Sequence, residues 1–172
     1  MLRHLVVGAL AALLLVGCGD PDDPPAEPPS YYAELADVTA ELDEANSSAD
    51  ADLHTTLETT REGDMGDVFA RVTEEAAARH EGAIAEMAAL EPPPSVEGAH
   101  AALLESSGDL VAQDRAAAQQ MAGLGAGALG AREPSAVYLE TEAAADAACA
   151  DLQQLADRAG AAVDLCVGLY AP

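Results

Sequence analysis

The chain predicts an all-α protein: an antiparallel, up-down-up-down bundle of four helices, followed by a short fifth helix at the C-terminus. Three features carry that expectation. From Tyr32 to Leu155 the apolar residues recur three and four positions apart, as on one helix face, and no stretch alternates residue by residue as a strand would. Breakers divide the periodic part at Gly63, at Pro92-Pro93-Pro94 and between Gly123 and Pro134. Long amphipathic segments joined mostly by short connections pack as antiparallel neighbours. A sustained heptad would suit a dimeric coiled coil instead, but the breaks favour the closed bundle.

Ser30 can cap the first helix, whose stripe runs through Tyr32, Leu35, Val38, Leu42, Ala45, Ala49, Leu53 and Leu57 until Gly63. The second opens near Asp64 and turns Met65, Val68, Phe69, Val72, Ala76, His80, Ala83, Ile84, Met87 and Leu90 inward. Three prolines stop it, and Ser95 is placed to cap a third helix with Val96, His100, Leu103, Leu104, Ser107, Leu110, Val111, Ala118 and Met121 inside. After a Gly-rich connection, Ser135 caps a fourth through Val137, Tyr138, Thr141, Ala145, Ala148, Cys149, Leu152 and Leu155.

Composition narrows the partners. There are 31 acidic residues against 7 basic ones, a formal net charge of −24, and every basic residue is Arg. Nucleic acid and anionic headgroups need a basic patch that such a chain does not supply. A cation or a basic protein partner is compatible with it, as is a purely solvating surface that keeps an Ala-rich monomer dispersed. Aromatics are 3% and Trp is absent, so the core must come from Leu, Val, Ala and Met, and its stability should be modest.

The N-terminus carries an address. Arg3 precedes an apolar run, Leu5 to Val16, which ends in Leu15-Val16-Gly17-Cys18. A basic tip, a short apolar stretch and small residues before a cut have the form of a secretory signal peptide. A spanning helix would need about 20 apolar residues, and Asp and Pro follow at once. With the cut before a cysteine, this stretch resembles the lipobox of bacterial lipoproteins. The resemblance covers residues 1–18 only. It implies removal of residues 1–17, acylation of Cys18, and attachment to a cell-envelope membrane with the rest of the chain on the periplasmic or exterior side. Losing Arg3 would take the net charge from −24 to −25. Residues 18–30 then form the acylated Cys and a spacer, Gly19 to Ser30, too rich in Pro and Asp to fold. Residues 31–172 form the bundle domain.

Export also sorts the cysteines. With Cys18 acylated, Cys149 and Cys166 remain as an even pair, which in an oxidising compartment is most simply a disulfide. On one straight helix they would stand about 25 Å apart, whereas a disulfide needs Cα atoms within about 7 Å. Either the chain reverses near Gly160 or the two do not pair within one molecule. The apolar stripe continues through Val163, Cys166 and Leu169, against a break, but the expectation adopted is a reversal with a short helix from Ala161 to Leu169.

Candidate chemistry is sparse. His80 and His100 fall on apolar stripes, and Glu97 with His100 makes a Glu-x-x-His, the spacing that di-iron bundles use twice. No second copy exists, and the two histidines lie at different depths from the Pro turn, about 15 Å and about 7.5 Å. A metal-binding or metal-storage bundle using His80, Glu97 and His100 is therefore the alternative to a cofactor-free binding or structural lipoprotein. His54, between Asp50 and Glu58, looks like a solvated face. Met65, Met87 and Met121 suit gap-filling better than haem or copper. Asn46 to Asp52 lacks the Gly and Glu of an EF-hand loop. The glycines of residues 123–130 lack the Lys of a phosphate loop. No nucleophile elbow is present, and no enzyme is expected.

Overall fold

The computed structural model describes residues 29–167; Cys18 and most of its spacer lie outside them, as does Leu169. The described chain is all-α: α1 Pro29–Thr59, a 3-10 turn Glu62–Asp64, α2 Met65–Ala88, α3 Glu97–Met121, α4 Ala126–Gly130 and α5 Ala136–Arg158. No strand occurs among the described residues. The three breaks sit where the sequence places them. Ser135 caps α5, its hydroxyl accepting the Tyr138 N–H at 3.0 Å. Three local expectations are corrected. Pro29 and Ser30, expected in the spacer with Ser30 as the cap, lie within α1, since Pro is tolerated in a helix's first turn. The N-cap of α3 is Val96, one residue past Ser95, because the Pro93 carbonyl already accepts the Val96 and Glu97 N–H groups. The Gly-rich connection is not a bare loop but holds α4.

The long helices pack in chain order, α1 on α2, α2 on α3, and α3 on α5. Antiparallel register shows in the side chains that bridge them. Asn46 meets Arg79 and His80 between α1 and α2, Arg115 of α3 reaches Glu74 and Glu81 of α2, and Tyr138 of α5 reaches Asp114 of α3. At the α2–α3 end the joint is made by backbone. Gly66 donates its N–H to the Leu124 carbonyl at 2.8 Å, and the Asp67 carboxylate accepts the Gly123 N–H at 2.7 Å. Gly123, at φ 74°, supplies the left-handed turn that ends α3.

The core is concentrated at the opposite end. Tyr32 and Leu35 from the start of α1, Met87 from the end of α2, Leu103 from α3, and Cys149, Leu152 and Ala156 from α5 are fully buried in one cluster with Leu165 of the tail. Away from this end, Leu53, Leu57, Val68, Phe69 and Val72 are only half-buried. Ala77, Leu110, Val111 and Ala118 are buried there as well, so the α2–α3 seam stays closed while the flanking stripe positions are only partly covered.

One buried polar atom is badly placed. Ser107 Oγ has no hydrogen-bond partner although the residue is buried. Ser107→Ala removes an unsatisfied hydroxyl from an apolar contact and should raise the unfolding free energy by about 1 kcal/mol. Urea denaturation of the two proteins checks it.

The C-terminal tail corrects the sequence expectation in part. The chain does reverse at Gly160, at φ 75°. The Ala161 N–H bonds the Ala156 carbonyl and the Gly160 N–H bonds that of Asp157, the paired bonds of a Schellman motif. Beyond it, residues 161–167 are not helical. Gln153 replaces the missing helix bonds: its amide donates to the Val163 carbonyl at 2.9 Å and accepts the Leu165 N–H at 2.8 Å. A disulfide joins Cys149 to Cys166 with Cα atoms 5.9 Å apart. An extended tail presents Leu165 to the core and Cys166 to Cys149 at once, which the expected helix over 161–169 is not needed to do.

Candidate functional site

The loosely closed end of the bundle holds a cleft of 530 Å³. The helices that build it contribute in turn. Asn46, Asp50 and Leu53 come from α1; Val72, Ala76, Arg79 and His80 from α2; and Leu110, Asp114, Ala117, Gln120 and Met121 from α3. Leu129 of α4, Arg132 in the connection, and Tyr138 and Glu142 of α5 complete the wall. Leu53, Val72, Ala76 and Met121 are stripe residues left half-covered, while Leu110 is buried at the floor. The volume falls in the range of small-molecule sites, roughly 300–1,000 Å³.

Three polar constellations line it. On one side the Arg79 Nε donates to Asn46 Oδ1 at 3.1 Å, and the Asn46 amide donates to His80 Nε2 at 3.3 Å. Near α4, Arg132 donates to the Ala117 carbonyl at 3.3 Å and to Gln120 Oε1 at 2.6 Å. On the α5 side the Tyr138 hydroxyl donates to Asp114 Oδ1 at 3.1 Å. Burial raises the Asp114 carboxyl above its ordinary value; the Tyr138 bond opposes this and the Glu142 charge adds to it. Tyr138 is pushed up to about 12, first by burial, then by the Asp114 and Glu142 charges. The phenol therefore stays protonated and remains a donor.

The sequence candidates for metal do not converge here. His80 lines the cleft, Glu97 is exposed in the first turn of α3, and His100 is buried in the core. The ion pairs between α2 and α3 put the two imidazoles about three helical turns apart along the bundle. No group of three His, Cys, Asp or Glu able to hold a metal occurs among the described residues. His54 is exposed. Met87 fills the core, and Met121 lines the cleft. Sequence reasoning missed Arg79, Arg132 and Asp114. A signal was present, since arginines are scarce in this chain and Arg79 adjoins the buried stripe at His80.

His100 has a structural role. Its Nδ1 shares a 2.6 Å hydrogen bond with the Tyr31 hydroxyl, and the rings meet edge-on at 5.8 Å. Burial holds its pKa below the ordinary 6.5, and burial pushes Tyr31 up to about 12. The neutral imidazole is thus favoured by folding, and below pH 6.5 the unfolded chain binds the extra proton. Stability from this group is complete above that pH and falls as pH drops through 6.5 towards the folded value. Acidification also relieves repulsion among the carboxylates, so the test is a difference. Between pH 7.5 and 5.5 the wild type should lose stability relative to His100→Gln, measured by urea midpoints at each pH.

No helix among the described residues is long and apolar enough to cross a membrane. Comparison with known protein families, with curated proteins and with solved structures finds no match to this chain.

Proposed function

We propose that the chain is a lipid-anchored extracytoplasmic binding protein, held at a cell-envelope membrane by acyl chains on Cys18. The observation that carries the anchor is Leu15-Val16-Gly17-Cys18 after a short apolar run with Arg3 before it. The geometry of the bundle supports the binding role. α1 begins at Pro29, at the end where the core is dense and the disulfide lies, while the cleft lies towards the other end. An anchor before Pro29 would leave the cleft at the end away from the membrane attachment. Two acyl signals or more make such anchoring durable, each buried CH₂ contributing about 0.8 kcal/mol.

The anchor is tested by expressing the wild type and Cys18→Ser in a bacterial host fed an alkyne-tagged palmitate analogue. Label on the wild type and none on Cys18→Ser, with release of the variant from membranes, is the expected result. An unlabelled wild type, or a variant labelled as strongly, overturns the assignment.

A further inference from the structure

Carboxylates in this chain stand on the surface, with few exceptions. Among the described residues Asp43, Asp114 and Glu142 are half-buried, and every other Asp or Glu is exposed. Asp114 and Glu142 both line the cleft. They stand beside the same residue: the Tyr138 hydroxyl reaches Asp114 Oδ1 at 3.1 Å, and Glu142 lies one turn past Tyr138 on α5. The Glu142 charge is felt by both the Asp114 carboxyl and the Tyr138 phenol. Tyr138, a neutral donor, fixes Asp114 without cancelling its charge. The arginines of the lining do not cancel it either. Arg79 is held by Asn46 Oδ1, Arg132 by the Ala117 carbonyl and Gln120 Oε1, and neither makes an ion pair among the described residues. With Asp50 and Glu133, the lining carries four acids against these two arginines, so the cleft is negative.

We infer that the cleft binds a small organic monocation with an apolar body, its ammonium on Asp114 and its body over Leu110 and Ala117. Leu110 and Ala117 line the cleft one turn to either side of Asp114 on α3, so charge and apolar surface adjoin. A carboxylate withdrawn from water gains most from a charged partner, and an ammonium bonds it more strongly than a neutral donor does. Glu142 adds its charge to the same corner. A second positive charge on the ligand would meet Arg132, fixed one turn along α3 at the Ala117 carbonyl, which selects a single charge. A bare metal ion fits poorly. No group of three His, Cys, Asp or Glu able to hold one occurs among the described residues, and Ca²⁺ takes about six or more oxygen ligands. This inference rests on the binding role proposed above and names the ligand class for it.

The test uses three probes with one aryl body and different heads, phenethylamine, phenethyl alcohol and phenylpropanoate, titrated calorimetrically into the full-length chain. Phenethylamine should bind saturably at one site per chain, about ten-fold or more tighter than the alcohol. Asp114→Asn, which keeps an acceptor for Tyr138, should lose about ten-fold or more, and Glu142→Gln should lose less. Asp109→Asn, an exposed acid on the same helix, should match wild type, which separates the site from general attraction to an acidic surface. Thermal unfolding of each variant establishes that it is folded, and the comparison of probes on the wild type stands without any variant. Equal binding of amine and alcohol leaves the cleft a site but overturns the cation, as does preference for the carboxylate. Amine binding that Asp114→Asn and Asp109→Asn weaken alike overturns the placement on Asp114. Failure of all three probes removes the binding role of the cleft along with this inference.

Discussion

Gly66→Ala should cost the bundle about 3 kcal/mol or more, a loss visible as a fall in the urea midpoint at unchanged slope. Gly66 is buried in the first turn of α2, and a Cβ built there meets the carbonyl oxygens of Met121 and Leu124 and the Leu124 nitrogen. Those are backbone atoms, so relief needs α2 and α3 to separate. Separation breaks the Gly66 N–H bond to Leu124 and strains the Asp67 bond to Gly123. Gly82→Ala is the matched control. It lies exposed within the same helix with nothing near a new Cβ, and should instead stabilise by about 0.5–1 kcal/mol. The same chemical change in one helix with opposite signs separates close approach from helix propensity.

Replacing both Cys149 and Cys166 by Ala should lower the unfolding free energy by about 3 kcal/mol through the released loop alone. For a domain of this size that is a fall in Tm of roughly 10 °C. The sequence separation of 17 sets the loop. The bond also holds the tail that carries Leu165, which is fully buried. Without the bond the Gln153 amide is the remaining clamp, so Gln153→Ala should cost more in the Cys-free protein than in the wild type. Calorimetric Tm values for the four proteins of that cycle check both statements. A Cys-free protein that melts with the wild type would remove the disulfide from the account of stability.

Much of this fold is legible in the sequence because its determinants are local. The stripes from Tyr32 to Leu155 mark the four long helices, and Pro92–Pro94 and Gly63 mark their ends within a few residues. Ser135 caps α5 with its own side chain, and Gly160 supplies a left-handed residue where the chain must turn. What is not legible depends on partners far away in the chain. Gly66 is an ordinary helix position until α3 arrives beside it. The extended tail is set by Gln153, a polar residue that no periodicity marks. The cleft is lined by residues from α1 to α5 together, an assembly that no single stripe encodes. His80 and His100 share a stripe pattern and yet lie in different environments, one beside Asn46 in the cleft, the other against Tyr31 in the core.

The cluster that joins Tyr32 and Leu35 to Leu165 also sets the order of events in time. Its members run from Tyr31 to Leu165 in the chain. Residues near position 32 must therefore wait for residue 165 before their core can close, and contacts across so great a stretch of chain form slowly. The α1–α2 and α2–α3 contacts need no such wait, since their partners are neighbours in the chain. A circular permutant that places Leu165 early should fold faster.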